Sequence, residues 1–101
     1  MFKGGMASMM QKAQQMKTDM KIVQDEIKLL SCVGESASGG IKITINGLHE
    51  ATAVEIDDNL LDDKEMLENL ILIAINNAET QVNRISEEKM KSVTGGLNLP
   101  F

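Results

Sequence analysis

The sequence predicts one α+β domain with the element order α-β-β-β-α, in which two long helices flank a three-stranded antiparallel sheet. Residues 41–45 alternate apolar and polar side chains, the period of a strand with one buried face. Residues 52–56 repeat this alternation after the turn signal Asn46-Gly47. Long helical patterns precede and follow these strands, so a small meander sheet is expected to support two large helices. Such an arrangement favours a binding platform over a catalytic pocket.

The composition limits the class of protein. A chain of 101 residues is expected to form one domain, residues 1–101. Phe2 and Phe101 are the only aromatic residues, so Leu, Ile, Val and Met must fill the core. The single Cys32 excludes an intramolecular disulfide and points to a reducing compartment. Since no apolar run reaches the length of a membrane span or of a signal peptide, the expected location is cytoplasmic.

The first helix is predicted from a regular apolar seam with alternating spacings of four and three residues. The apolar seam consists of Met9, Ala13, Met16, Met20, Val23, Ile27 and Leu30. Its methionines are interpreted as flexible packing residues and not as copper ligands, because a helical stripe spreads thioethers apart. Beside the seam runs a basic stripe, which is either an ordinary solvated face or a binding face. The basic stripe consists of Gln14, Lys17, Lys21, Gln24 and Lys28.

The sheet is predicted to begin with a short strand at residues 33–36, followed by turn chemistry in Ala37-Ser38-Gly39-Gly40. A phosphate-binding loop is the alternative interpretation of this glycine pair. No G-x-G-x-x-G or Walker pattern surrounds the pair, and the next element is a strand, so the turn is favoured. In the last strand, Thr52, Val54 and Ile56 are expected to face the core.

An acidic run follows the last strand, from Asp57 to Glu65. A calcium loop beginning at Asp57 would need an oxygen ligand in place of Leu61 and a glycine in place of Asp62, so that motif fails. Asp62 with Glu65 instead fits the acidic start of a helix. This helix is expected to run to about Val93 and to end at Gly95-Gly96, leaving residues 95–101 as a flexible tail.

Element lengths predict an arm and a dimer. Helices of about 25 residues span roughly 37 Å, whereas strands of five or six residues cover about 17 to 20 Å. The helices must therefore overhang the sheet, and an antiparallel arm is expected with residues 1–17 beside residues 80–95. Because the sheet has an uncovered face and residues 70–75 are apolar on every side, a homodimer is expected. Its predicted interface residues are Ile71, Ile73 and Ile75.

Eight short segments, spread in order over nearly the whole chain, form a combined pattern. They are Met-Phe-Lys-Gly-Gly-Met at the start, Met-Gln-Lys-Ala-Gln-Gln-Met (10–16), Gly-Glu-Ser (34–36), Ile-Thr-Ile-Asn-Gly (43–47), Val-Glu-Ile-Asp (54–57), Asp-Lys-Glu-Met-Leu-Glu (63–68), Glu-Lys-Met (88–90) and Ser-Val (92–93). Together these segments resemble the YbaB/EbfC family of bacterial nucleoid-associated proteins. The resemblance implies the α-β-β-β-α fold, a tweezer-like homodimer, and binding of double-stranded DNA with little sequence preference. Many members carry an arginine pair where this chain has Ala51-Thr52-Ala53, and more arginines than Arg84 in the last helix.

These observations predict a non-enzymatic DNA-binding protein of the nucleoid. The single His49 and Cys32 offer no ligand cluster, and no nucleophile motif is visible, so no catalytic residue, metal or cofactor is expected. The expected partners are double-stranded DNA and a second copy of the chain, with no membrane and no small-molecule substrate. The alternative is a protein-binding adaptor that uses Met-rich helical arms. In the predicted arm the basic residues of the two helices gather toward the tip, where they could neutralise phosphates. The predicted DNA-binding residues are Lys3, Lys12, Lys17, Lys21, Arg84, Lys89 and Lys91.

Overall fold

A computed structural model describes the chain from residue 2 to residue 94, with side chains for residues 5–93. The elements are α1 (Phe2–Lys28), β1 (Ser31–Ser36), β2 (Ile41–Asn46), β3 (Ala51–Ile56) and α2 (Lys64–Thr94). Short 3-10 turns lie at Ala37–Gly39 and Asp58–Leu60. The predicted α-β-β-β-α order is therefore confirmed. The predicted tail at residues 95–101 and the side chain of Lys3 lie outside the described residues.

The sheet is an antiparallel meander with strand order β1-β2-β3. The alternation in β2 predicts its buried face correctly, since Ile41, Ile43 and Ile45 are all buried. They lie beneath α2, whose Ala74 and Ala78 belong to the same buried cluster. Cys32 of β1 belongs to the same cluster, so the core is a layer between two strands, β1 and β2, and one helix.

Gly34 sets how closely α2 approaches β1. A Cβ at this position would lie 2.0 Å from the Ala74 carbonyl oxygen and 2.5 Å from the Ala78 nitrogen. One turn earlier in α2, the buried Ser36 donates a hydrogen bond of 2.6 Å from Oγ to the Leu70 carbonyl oxygen. Small residues therefore allow the helix backbone to pack directly on the strand backbone.

The strand β3 differs from its prediction. Val54 pairs with Ile43 and so shares its face, yet Val54 is 56% exposed because α2 packs over β1 and β2. A register shift between Thr44 and Ile45 brings Ala51 opposite Ile45, so Thr52 is the extra residue of a bulge and leaves the predicted pattern. The expectation that all three alternate residues of β3 are buried is therefore wrong for the single chain.

The turn between β2 and β3 joins the sheet to α1. Asn46 Oδ1 accepts hydrogen bonds from the backbone N–H groups of Leu48 and Glu50, at 2.9 and 3.0 Å. The Asn46-Gly47 signal thus predicts the turn correctly, but Gly47 does not have a positive φ. A Cβ at Gly47 would lie only 1.6 Å from the carbonyl oxygen of Ile27 in the last turn of α1. The glycine is required because the main chains of helix and turn make contact.

The same turn is also fixed to α2. His49 has a φ of 65°, in the left-handed region that β-carbon-bearing residues seldom adopt. Its Nδ1 lies 3.0 and 2.9 Å from the two carboxylate oxygens of Glu79. One turn thus connects the end of α1 with the middle of α2.

The start of α2 lies one residue later than its prediction. Asp63 Oδ1 accepts a hydrogen bond of 3.1 Å from the backbone N–H of Met66, which makes Asp63 the N-cap and not Asp62. A 3-10 turn at residues 58–60 precedes the helix, and the chain continues turning through Asp62 before Lys64 begins α2. Either aspartate side chain could cap a helix. The turn that continues through Asp62 delays the start of α2, so Asp63 takes the N-cap position.

The single chain is elongated. Its extents are 75 × 20 × 16 Å and its radius of gyration is 20.2 Å. A compact domain of this length has a radius of gyration of about 13 Å. Much of α1 therefore projects away from the sheet.

Candidate nucleic-acid interface

The two helices pair only near the end of α2. Lys89 Nζ lies 3.4 Å from Glu26 Oε2, and Ser92 and Val93 line a groove together with Asp19, Ile22 and Val23 of α1. The last turns of α2 therefore lie beside residues 19–26 of α1. The prediction that residues 1–17 pair with residues 80–95 is wrong.

The reason is the path of α2 across the sheet. Its 31 residues span about 46 Å. The first part of this length packs over β1 and β2, where Leu70, Ala74 and Ala78 contact the strands. Only the last turns of α2 remain to pair with α1. The C-terminal end of α1 leads into β1, and most of α1 extends away from the sheet.

A free segment of α1, residues 5–18, consequently lies beyond the end of α2. Its fourteen residues correspond to about 21 Å of helix. Met6, Met9 and Met10 in this segment are 67%, 71% and 64% exposed. The apolar seam thus continues past the point where α2 stops covering it.

The basic stripe and part of the apolar seam share one open surface of α1. Ala13, Met16 and Met20 of the apolar seam lie next to Lys17 and Lys21 on this surface. The surface consists of Ala13, Met16, Lys17, Thr18, Met20, Lys21, Gln24, Asp25 and Lys28. Lys28 was not among the predicted DNA-binding residues, although the spacing of the basic stripe already includes it.

The lysines of α1 are accessible. Lys12, Lys17 and Lys21 are exposed and form no ion pair within the part of the chain that the structure describes. Lys28 Nζ lies 3.9 Å from Asp25 Oδ1, with both side chains more than half exposed. Such a surface pair contributes about 0 to 1 kcal/mol and leaves the lysine available to another partner.

The cations of α2 are separated from those of the free segment. Arg84 and Lys91 are exposed, whereas Lys89 is bonded to Glu26 and its side chain is only 34% exposed. Since Lys12 precedes Glu26 by fourteen residues, it lies about 21 Å further along the arm than Lys89. The structure therefore brings Lys17 and Lys21 together on one stripe but does not gather all predicted cations at one tip.

Charge is segregated between the arm and the rest of the molecule. Residues 5–28 and 83–94, which form the arm, carry seven basic and five acidic residues, a net charge of +2. Residues 29–82, which form the sheet unit, carry two basic and ten acidic residues, a net charge of −8. Six of those acidic residues lie between positions 57 and 68. The described lysines of α1 thus lie on the less acidic end of the chain.

The described residues offer neither a metal site nor a membrane-spanning helix. Across residues 5–93, no three His, Cys, Asp or Glu side chains converge in a way that holds a metal ion. Neither α1 nor α2, as far as each is described, has a stretch long and apolar enough to span a bilayer.

Comparison with known proteins identifies a matching family and a similar solved structure. The sequence model of the YbaB/EbfC DNA-binding family matches residues 2–97. Among solved structures, the chain is similar to the uncharacterized protein HP0035 from Helicobacter pylori, with a TM-score of 0.64 and 26% sequence identity. That match covers 75% of this chain and 90% of the other.

Proposed function

The chain belongs to the YbaB/EbfC DNA-binding family, and on that premise we propose that it is a nucleoid-associated protein that binds double-stranded DNA as a homodimer with low sequence specificity. The observation that carries this proposal is the basic stripe on α1. Its Lys17 and Lys21 are exposed and have no ion-pair partner among the described residues. They lie on an arm of net positive charge, attached to a strongly acidic sheet unit.

The geometry of the basic stripe suits a phosphate backbone. From Lys17 to Lys28 the helix rises about 16 Å, which corresponds to roughly five phosphates of one strand at about 3.4 Å of axial rise each. Lysine presents a compact point charge that favours phosphates over bidentate contacts with base edges. Binding is therefore expected to depend on backbone charge and shape more than on base identity.

The sheet unit favours contact through the arms. With a net charge of −8, residues 29–82 repel a polyanion and orient the arm toward it. The same repulsion weakens long-range attraction, so binding is expected in the micromolar range at low salt and should weaken steeply as salt increases.

A dimer would cover apolar surface that one chain leaves open. Leu72 and Ile73 on α2 are 57% and 54% exposed, and Val54 on β3 is also exposed. Ile71 and Ile75 are partly buried against the core of their own chain. Of the three predicted interface residues, Ile73 is therefore the one most available to a second copy, together with its neighbour Leu72.

A salt-titrated binding assay tests the proposal. Fluorescence anisotropy with two duplexes of unrelated sequence should give similar affinities and a slope of log K against log salt of about −3 for one arm and about −6 for two. Light scattering at micromolar concentration should give about twice the chain mass of 11.0 kDa. Binding that does not depend on salt would contradict phosphate contacts and favour an adaptor whose exposed methionines hold a partner protein.

A further inference from the structure

The free segment of α1 carries two exposed methionines that do not belong to the apolar seam. They are Met6 and Met10, which are 67% and 64% exposed. An α-helix turns by about 100° per residue, so both lie within about 20° of Lys17 around the helix. Met9, which belongs to the apolar seam, lies about 80° from Lys17. Met6 and Met10 therefore continue the line of the basic stripe toward the N-terminus of α1.

The charges around these methionines favour an anionic partner. Residues 5–18 contain Lys12 and Lys17 and no acidic residue, a net charge of +2. Both lysines are exposed. Pairing with the free segment of a second copy would bring like charges together, which is unfavourable. The segment therefore suits a partner that combines negative charge with apolar surface.

Double-stranded DNA has both properties. Between its phosphates the grooves expose sugars, base edges and the methyl groups of thymine. Methionine is one of the apolar side chains that DNA-binding proteins place against base steps. Met10 lies seven residues before Lys17, a rise of about 10 Å, or roughly three phosphates of one strand. A duplex that lies along the basic stripe thus reaches Met10 without leaving the line of the lysines.

We propose that Met6 and Met10 form the apolar end of the DNA-binding face and that their oxidation weakens DNA binding. The inference rests on the proposed function and adds a modification site to it. In the reaction with hydrogen peroxide, the thioether sulfur forms a bond to one oxygen atom while the O–O bond breaks, giving the sulfoxide and water. The sulfoxide is polar, so the apolar contact with DNA is lost.

Peroxide treatment of the full chain, followed by fluorescence anisotropy with a labelled duplex, measures this effect. Complete burial of one methionine side chain is worth about tenfold or more in affinity, so partial cover of two predicts a loss of about tenfold on oxidation. The slope of log K against log salt should not change, because no lysine is altered. Unchanged affinity after mass spectrometry shows both residues fully oxidised would overturn the inference.

Substitutions assign the effect to the two methionines. Met6→Leu with Met10→Leu removes both thioethers, so the ratio of affinities before and after peroxide should stay near one. Met9→Leu is the matched control on the neighbouring face of the same helix, and its ratio should remain about ten. A double variant that remains sensitive to peroxide would place the effect at another methionine and overturn the inference.

Protection by DNA tests the contact without any substitution. At low salt and saturating duplex, Met10 should oxidise at least about fivefold more slowly than in the free protein. Met66, which is 43% exposed and lies at the start of α2 in the acidic sheet unit, should oxidise at the same rate with and without DNA. Equal rates for Met10 in both conditions would overturn the contact and favour a different partner for these methionines, such as an acidic protein.

Failure of this inference differs from failure of the proposed function. If affinity depends steeply on salt but not on oxidation, DNA binding stands and the methionine contact is wrong. If the unaltered chain shows no salt-dependent binding to a duplex, both are wrong.

Discussion

Replacing Lys17 and Lys21 together by alanine should remove much of the affinity for DNA. Each lysine that neutralises a phosphate contributes about −0.9 to the slope of log K against log salt, which is about eightfold in affinity at 0.1 M salt. Two lysines therefore correspond to a loss of about 60-fold if one arm contacts the duplex. If both arms of a dimer contact it, four lysines are lost and the slope should fall from about −6 to about −2.5.

The assay is fluorescence anisotropy with one labelled duplex over a series of salt concentrations. Both lysines are exposed and have no ion-pair partner among the described residues, so the free energy of unfolding should change by no more than about 0.5 kcal/mol. Urea denaturation of the variant checks this point. A loss of affinity can then be assigned to DNA contact and not to misfolding.

Lys42→Ala is the matched control on the sheet unit. Lys42 lies on β2 opposite Glu35 on one side and Glu55 on the other, so its charge has acidic neighbours. Its removal should change the salt slope by less than about 0.5. An unchanged slope in the Lys17 and Lys21 variant, or a larger loss for Lys42→Ala, would refute the assignment of DNA contact to the basic stripe.

Three further substitutions test the fold and the dimer. Ile73→Asp should dissociate the proposed dimer at a cost of roughly 3 kcal/mol, because it buries an unpaired charge, and a variant that remains dimeric by light scattering would exclude Ile73 from the interface. Gly34→Ala should lower the free energy of unfolding in urea by about 3 kcal/mol, since its Cβ would meet the carbonyl oxygen of Ala74, and wild-type stability would contradict that close approach. Asp63→Ala should cost about 1 kcal/mol through loss of the N-cap bond to Met66, and an unchanged melting temperature would argue against Asp63 as the cap.

The sequence predicts the elements of this fold well because their signals are local. The alternation in β2 indicates which of its side chains are buried. The turn signal at Asn46-Gly47 indicates the turn between β2 and β3, whose main-chain geometry depends on neighbouring residues. The apolar seam likewise predicts the helix α1, although its expected packing along the whole length holds only near Val23, since Met9 is 71% exposed. In the strand and the helix, the spacing of buried side chains along the sequence follows directly from the repeat of the backbone.

The parts that sequence does not predict depend on contacts between distant elements. A heptad pattern is the same in every turn, so it does not predict which turn of α1 lies beside Lys89. In the structure that turn contains Glu26. Val54 has the pattern of a buried residue, but α2 covers the two other strands. For the same reason the cations of α1 and α2 separate along the arm, where sequence alone predicts one cluster.

The backbone contact between Gly47 and Ile27 determines which positions control the direction of the arm. It joins the end of α1 to the sheet through backbone atoms, with no side chain between them. The direction of the arm is therefore insensitive to substitution along its exposed faces, whereas position 47 accepts only glycine. Lysines and arginines on the arm can therefore change without altering its direction, so the shape and the surface charge of this chain can vary independently.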